Sequence, residues 1–292
     1  MMKRRGGLSQ LISLVITLCT FCEAGYKPVI IIHGLLDDPS AFTGLTQFIQ
    51  EAHPGTNVSV IDLFDDLESL LPLWQQVGNF TEAIRPIMKS APGGVHMIGF
   101  SQGGILARGI ISTMSDHNVQ NFLSLSSPQM GQYGDTSYLE WLFPHKLKEE
   151  LYKVCYEDYG QDISVCQYWN DPHHHDLYLK KNNYLPILNN ETYNDKSQEY
   201  KKNFLKLKNL VLIGGPDDGV ITPWQSSQYG FYNSSEAVIA MKQQKVYAMD
   251  SFGLRTLDKR GCIKTYTIPG VEHVKWHTNE TVFKNAILPW LS

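Results

Sequence analysis

Short apolar segments alternate with longer amphipathic ones along most of this chain. The apolar segments predict β-strands at residues 29–32, 58–63, 95–100, 119–125, 210–213 and 263–268. Apolar positions spaced three and four apart predict helices at residues 41–52, from Pro72 onwards, at 102–114, near 254–257, and through Val282, Ala286 and Leu291. Ser40 is the expected N-cap of the first helix, and Pro86 is expected to kink the second. Strands that alternate with helices are typical of a doubly wound, mostly parallel sheet.

This alternation stops at about residue 127 and returns at about residue 208. The stretch between is rich in Tyr, Trp, Lys and Asn and has only short helical patterns. We therefore predict one domain over residues 26–292 with a lid-like insertion at about 127–208. Its aromatic side chains could form a satellite core or line a channel for an acyl chain, and the set is Tyr138, Trp141, Phe143, Tyr168, Trp169, Tyr178 and Tyr184.

Composition narrows the class of partner. The chain has 292 residues, of which 42% are hydrophobic and 18% are charged, so it can bury a sizeable core. Its formal net charge is -4, and acidic and basic residues are mixed along its length. No basic face is available to follow a phosphate backbone, which argues against a nucleic-acid partner.

The first 25 residues have the pattern of a signal peptide. Lys3, Arg4 and Arg5 precede an apolar run from Leu8 to Phe21, and small residues follow it. The run is shorter than the ~20 residues of a membrane-spanning helix, although an uncleaved anchor remains the alternative. Cleavage would leave a chain that begins near Tyr26 and has no transmembrane segment.

Five Asn-x-Ser/Thr sequons are consistent with passage through the secretory pathway. They lie at Asn57, Asn79, Asn190, Asn233 and Asn279. Asn79 is the least secure of the five, because it lies in a predicted amphipathic helix beside the apolar Phe80.

The cysteines and a run of histidines are candidates for a disulfide and for a metal site, respectively. Cys155 and Cys166 close a short loop suited to a disulfide, which leaves Cys262 as an expected buried thiol. The histidines of residues 171–176 could bind a metal. Consecutive histidines on a loop point in different directions, however, so we predict no metal site.

The motif Gly99-Phe100-Ser101-Gln102-Gly103 follows a predicted strand and opens a predicted helix. This is the context of a nucleophile elbow, in which a sharp turn exposes a strained serine between small neighbours. Ser101 is therefore the candidate nucleophile. The alternative is a glycine-lined turn whose serine only caps the helix.

A serine hydroxyl needs a base, and in this fold the chain order is nucleophile, acid, histidine. Asp218 follows the 210–213 strand, where the acid should emerge, and its neighbour Asp217 is the alternative. His273 follows the 263–268 strand, and His277 is the alternative base. The sequence thus predicts an α/β-hydrolase that cleaves an acyl ester or thioester.

Two backbone amides are candidates for binding the oxyanion. The amide of Gln102 follows the nucleophile, and Gly34 would let the Leu35 amide approach the same position. His33, just before that glycine, is expected to be structural.

With these residues placed, the chain resembles the lysosomal palmitoyl-protein thioesterases over nearly all of its mature length. The motifs that carry the resemblance lie at residues 29–34, 99–104, 168–172, 230–232 and 250–254. Residues 125–134 and 216–224 look like the second type of that family rather than the first. Gly99 and Ala107 depart from the second type, which carries a further cysteine pair at these positions.

The resemblance implies Ser101, Asp218 and His273 as a triad, with the Leu35 and Gln102 amides as the oxyanion hole. It implies a lysosomal enzyme without a cofactor that hydrolyses fatty acyl thioesters such as palmitoyl-CoA, with S-acylated cysteine as a further candidate. It also implies a glycoprotein with a Cys155–Cys166 disulfide, delivered by a mannose-phosphate sorting receptor. A carboxyl-ester lipase and a non-catalytic lipid carrier on the same fold are the alternatives.

Overall fold

The computed structural model describes residues 25–292, apart from the side chains of residues 137–139. The expected signal peptide therefore lies almost entirely outside the described residues. The central sheet is parallel throughout and has the strand order β2-β1-β3-β4-β5-β8. Its strands are β1 (Val29–Ile32), β2 (Val58–Val60), β3 (Val95–Phe100), β4 (Val119–Leu125), β5 (Asn209–Gly214) and β8 (Ile263–Thr267). A separate antiparallel hairpin pairs β6 (Phe231–Tyr232) with β7 (Val238–Ile239).

Helices connect the strands. The α-helices are α1 (Thr43–Ala52), α2 (Leu73–Ser90), α3 (Gln102–Thr113), α4 (Ser137–Leu142), α5 (Tyr152–Cys155), α6 (His175–Lys181), α7 (Leu185–Leu188), α8 (Ser197–Phe204), α9 (Lys245–Ala248), α10 (Leu254–Lys259) and α11 (Glu280–Val282). Short 3₁₀ helices lie at Pro39–Phe42, Asp66–Leu70, Lys148–Glu150, Gly160–Asp162, Ser164–Gln167, Trp224–Gln228, Met241–Gln243, His273–Lys275 and Leu288–Trp290, and a π-helix lies at Phe283–Ile287.

The sheet is buried on both faces, which explains the unbroken apolar runs of its strands. Successive residues of β1 alternate between two core clusters, since side chains of a strand point to opposite faces. Ile30 and Ile32 pack in the cluster beneath α2 and α3, whereas Val29 and Ile31 pack with residues of α1 and of the chain end. The sheet therefore holds its carboxyl edge rigidly between two helical layers.

Some caps and element ends differ from the sequence-based expectations. Asp38, not Ser40, caps the first helical turn, because its carboxylate accepts the Ser40 amide hydrogen at 2.6 Å with Pro39 in the first turn. The second strand ends at Val60, where its pairing with β1 ends at Ile31. The helix after Pro72 runs through Pro86 to Ser90, so the proline does not end it, and the expected kink stays a prediction.

A further difference is at the chain end, where the predicted single helix is divided. Asn279 caps α11 by accepting the amide hydrogens of Thr281 and Val282. A π-helix and then a 3₁₀ turn containing Pro289 follow, because proline lacks the N–H that a continuing α-helix would need. The apolar side chains Val282, Ala286 and Leu291 still face the core.

Between β4 and β5 the chain folds into short helices joined by turns. Cys155 and Cys166 form a disulfide in this stretch, as the sequence predicted, and both are fully buried. Among the cysteines of residues 25–292, Cys262 is the unpaired one and is only partly buried, so the expectation of a buried thiol was wrong. Its position explains the exposure, because it precedes β8, the edge strand of the sheet.

Candidate active site

Ser101 occupies the turn between β3 and α3, with φ 52° and ψ −128°. This backbone conformation is strained for a residue with a side chain, and the close packing around it enforces the strain. A Cβ on Gly99 would come within 2.6 Å of the Gly103 carbonyl oxygen, and a Cβ on Gly103 would clash with the backbone of β1. In this chain the backbone around Gly99 and Gly103 leaves no room for a Cβ without a shift, and the turn projects Ser101 from the carboxyl edge of the sheet.

His273 lies in the first 3₁₀ turn after β8 and reaches across the edge to Ser101. Its Nε2 is 2.9 Å from the Ser101 Oγ, a hydrogen-bond distance. Both residues are nearly buried, with 4% of His273 and 9% of Ser101 exposed. The pair has the geometry of a base placed to receive a serine proton.

Asp218 lies in the loop after β5 and holds the other side of the histidine ring. The His273 Nδ1 is 2.9 Å from one carboxylate oxygen and 3.1 Å from the other. The His273 backbone amide also donates to the Asp218 carbonyl at 2.8 Å. Asp217 turns away, and its carboxylate accepts the amide hydrogen of Gly270. Of the two candidate carboxylates, only Asp218 contacts the imidazole.

Several donors converge on the Asp218 carboxylate. The Ser126 hydroxyl and the Trp276 indole donate to one oxygen, and the amides of Val220 and Ile221 donate to the other. The indole bond is 2.6 Å long. Sequence reasoning missed Ser126 and Trp276. The position of Ser126 directly after β4, beside the strand that delivers Asp218, is the signal that could have found it.

These contacts decide the charge of Asp218. Burial by itself would raise the pKa of the carboxyl group. The hydrogen bond and charge of His273, with the bonds from Ser126 and the Ile221 amide, outweigh burial and lower the pKa below its usual value. Asp218 therefore stays ionised in mildly acidic solution and favours one orientation of the His273 ring.

His277, the alternative base, is buried near the same site but holds neither partner. Its ring lies 4.7 Å from the ring of Phe42 and 5.0 Å from that of Phe100. Burial, and then the charge of His273, lower the pKa of His277 to about 4. His277 is thus a neutral ring that packs against aromatic side chains and forms part of the wall of the site.

The predicted oxyanion amides belong to segments on either side of the nucleophile. Gln102 is the first residue of α3, where backbone N–H groups have no acceptor within the helix. Leu35 lines the same cavity as Ser101, and the preceding Gly34 approaches so closely that a Cβ there would be 3.0 Å from the Ser101 Cβ. The Gln102 side chain is fixed by Ser69 and Ser164. His33 bonds backbone carbonyls of Gly34 and Leu63, which fits a structural role.

A cavity of about 270 Å³ opens beside Ser101 and His273. One wall comes from the stretch between β4 and β5, through Pro128, Gln132, Thr136, Leu142, Val165 and Tyr168. Among the aromatics of this stretch, Trp169, Tyr178 and Tyr184 are fully buried core, Tyr168 lines the cavity, and Trp141 is 57% exposed. A mostly apolar cavity at the nucleophile suits an acyl chain.

The three consecutive histidines do point apart. His173 contacts Glu236, His174 contacts Asp171, and His175 stacks on Tyr178. Within residues 25–292, no cluster of three or more histidine, cysteine, aspartate or glutamate side chains is arranged to hold a metal ion. In the same part of the chain, no helix is long and apolar enough to cross a membrane.

Comparison with known proteins identifies the family. The model of the palmitoyl protein thioesterase family matches residues 28–273. Lysosomal thioesterase PPT2 of Homo sapiens is 55% identical over 270 residues, covering 92% of this chain and 89% of the human one. The PPT2 homolog of Drosophila melanogaster is 40% identical, covering 97% of this chain and 98% of its own. Palmitoyl-protein thioesterase 3 of Dictyostelium discoideum is 32% identical, with coverage of 97% and 98%.

The fold has relatives among solved structures. The lipase BlEst2 of Bacillus licheniformis superimposes with a TM-score of 0.52 and 13% sequence identity, covering 92% of this chain and 94% of the lipase. At that identity the likeness concerns the fold alone, and with the parallel sheet it confirms the predicted α/β-hydrolase class. The resemblance inferred from the motifs is confirmed by the family match: this chain belongs to the palmitoyl protein thioesterase family.

Proposed function

We propose that this chain hydrolyses fatty acyl thioesters, such as palmitoyl-CoA, through an acyl-serine at Ser101. The observation that carries the proposal is the contact chain from the Ser101 Oγ to His273 at 2.9 Å and on to Asp218 at 2.9 Å. Family membership supports the thioester as substrate class. S-acylated cysteine is a further candidate substrate of the same bond type.

In the first half-reaction, the His273 Nε2 accepts the Ser101 proton while the Oγ attacks the acyl carbonyl carbon. The carbonyl oxygen becomes an oxyanion, which the Leu35 and Gln102 amides stabilise by hydrogen bonds. The carbon–sulfur bond then breaks with its electron pair going to sulfur, His273 gives its proton to the departing thiolate, and the acyl group remains on Ser101. A thiol with a pKa near ~8.5 leaves more readily than an alcohol, so attack should limit this step more than departure.

In the second half-reaction, His273 takes a proton from water, and the resulting hydroxide attacks the acyl-serine carbonyl. The serine oxygen leaves and regains its proton from His273, and the fatty acid is released. Asp218 holds the imidazole orientation and stabilises its positive charge in both steps. Every proton and electron pair is accounted for by the chain and water, and no cofactor enters the scheme.

We further propose that residues 127–208 form a lid-like insertion that shapes the acyl site, and that the enzyme acts in the lysosome after entering the secretory pathway. The relatives from Homo sapiens and Drosophila melanogaster are named as lysosomal, which supports this compartment. Delivery by a mannose-phosphate sorting receptor requires N-glycans, for which exposed sequons are needed.

The sequons differ in accessibility. Asn79 is exposed on α2 even though Phe80 beside it is buried, so the reason for doubting this sequon is removed. Asn57 is also exposed, and Asn233 and Asn279 are partly buried. Asn190 uses its Nδ2, the atom to which a glycan attaches, to bond the Ser251 carbonyl at 2.9 Å. Glycan mapping of secreted protein should therefore find Asn190 the least occupied, and an empty map would contradict the secretory route.

The activity is tested with two substrates of the same acyl chain, one a palmitoyl thioester and the other a palmitoyl oxygen ester. We expect the ratio of kcat/KM values to favour the thioester, and a ratio in favour of the oxygen ester would identify a carboxyl-ester lipase. Binding of the acyl chain without turnover of either substrate would identify a lipid carrier. Labelling with a fluorophosphonate, followed by mass mapping, should place the label on Ser101, and a label elsewhere would contradict the proposed nucleophile.

A further inference from the structure

Asp37 has a position that the proposed mechanism does not use. It follows the Leu35 amide in the loop after β1, and it lines the cavity together with Ser101 and His273. Among the described residues that line this cavity, Asp37 is the only carboxylate, and none is a lysine or arginine. A single negative charge thus faces an otherwise neutral acyl site, apart from the histidines.

The loop that carries Asp37 is fixed from two sides. The Asp37 carbonyl oxygen accepts the Asp66 amide hydrogen at 3.1 Å, and the neighbouring Leu36 amide donates to the Ser69 hydroxyl at 2.8 Å. The backbone of Asp37 therefore cannot move away from the cavity without breaking contacts between the loops that follow β1 and β2.

The charged and titratable groups that act on Asp37 are His33, Asp38 and His273. Burial is the largest influence and raises the pKa of the Asp37 carboxyl, while the two histidines oppose that change. His277 also lines the cavity, but its pKa of about 4 leaves it neutral at most pH values of interest. Among the described residues that line the cavity, Asp37 is thus the one carboxylic acid, and its charged form is negative.

We propose that Asp37 is a specificity-determining residue that disfavours carboxylates at the reaction centre and thereby speeds release of the fatty acid product. This inference rests on the proposed thioester hydrolysis. The reaction converts a neutral acyl thioester into an anion at the same position, so a fixed carboxylate distinguishes product from substrate. Two like charges in a partly buried site repel far more strongly than in open water.

The test measures binding rather than turnover. Isothermal titration calorimetry at about pH 7 compares octanoate with octanamide, which has the same chain and a neutral head of similar shape. The proteins are the wild type, Asp37→Asn and the control Asp38→Asn. Asp38 is adjacent in sequence but outside the cavity, and asparagine can keep its helix-capping bond.

We expect Asp37→Asn to tighten octanoate binding about tenfold relative to octanamide, while Asp38→Asn keeps the wild-type ratio. In wild-type protein the preference for octanamide should weaken as pH falls and Asp37 is protonated, and Asp37→Asn should lack that part of the change. Retained octanamide binding shows that the variant is folded.

An octanoate-to-octanamide ratio that is the same in wild type and Asp37→Asn would overturn the inference. Failure of the proposed function is distinguishable, because it would appear as absent thioester turnover whatever the binding ratio. A variant that binds neither ligand is replaced by Asp37→Ser, to which the same criterion applies.

Discussion

The two edges of the central sheet, meaning the carboxyl ends and the amino ends of its strands, differ in whether their buried polar groups have hydrogen-bond partners. At the carboxyl edge, the buried Asp218 accepts hydrogen bonds from His273, Ser126 and Trp276 and stays ionised. At the amino edge, His96 of β3 is 1% exposed, and within residues 25–292 neither of its ring nitrogens has a hydrogen-bond partner. One strand thus carries an unsatisfied histidine near its start and the candidate nucleophile just past its end.

The pKa values follow from this contrast. Hydrogen-bond donors overcome burial at Asp218 and lower the carboxyl pKa in favour of the charged form. Burial, and then the charge of Lys27, lower the pKa of His96 to about 4 in favour of the neutral form. The Ser292 main chain lies near enough to oppose this slightly, without hydrogen-bond geometry. We therefore predict that substitutions at the carboxyl edge lower turnover and that substitution of His96 at the amino edge changes the stability in acid.

Ser101→Ala, at the carboxyl edge, should have the largest effect on turnover and almost none on stability. Removing the hydroxyl should reduce kcat/KM on a palmitoyl thioester by about 10⁶-fold, while the melting temperature at neutral pH hardly changes. Alanine retains the Cβ, so the strained turn meets no new contact. Retention of a tenth of the activity would assign the nucleophile to another residue.

Asp218→Asn tests the acid of the carboxyl edge. Loss of the charge that orients and stabilises His273 should lower kcat by about 10⁴-fold. Asp217→Asn is the matched control, since its exposed side chain bonds only the Gly270 amide among the contacts described, and it should change kcat less than about threefold. A larger loss in the Asp217 variant would reverse our choice of carboxylate.

His96→Leu tests the amino edge. The folded-state pKa of His96 lies below the unfolded value, so its contribution to stability is complete above about pH 6.5 and is lost as pH falls towards 4. The free energy of unfolding should therefore fall by up to roughly 3 kcal/mol over that interval in wild type, and less in the variant.

Urea unfolding at about pH 7 and about pH 4.5 measures the difference, with His145→Gln at an exposed position as the control. If the free energy of unfolding falls with pH as much in His96→Leu as in wild type, His96 is not the cause of the acid sensitivity. Thioester turnover by folded His96→Leu at neutral pH should match wild type.

Ser126→Ala should have the smallest effect. The variant removes one donor to Asp218 and leaves the others, so kcat/KM should fall only about tenfold. Fewer donors raise the pKa of Asp218, and the acid limb of the kcat/KM profile should then move to higher pH. Unchanged activity and an unchanged acid limb would show that Trp276 and the loop amides suffice.

Much of the fold follows from local pattern. The strands and the main helices of the sheet were predictable because burial on both faces demands apolar runs, and the elbow was predictable because its motif lies between a predicted strand and a predicted helix. The first and last residues of the helices and strands were harder to predict. The cap at Asp38, the end of β2 at Val60 and the divided helix after Asn279 depend on hydrogen bonds that no periodicity encodes.

The sequence by itself determined the order of strands and helices, the elbow, and a short set of candidate acids and bases, since each depends on residues close together in the chain. Only the tertiary structure decided which candidates meet. His273 contacts Ser101 across 172 residues, and Ser126 reaches Asp218 across 92. Such distant neighbours also decide that Asp218 faces His273, that Asp37 lines the cavity and that His96 is neutral. Burial and charge are properties of the packed environment, and that environment exists only once the chain has folded.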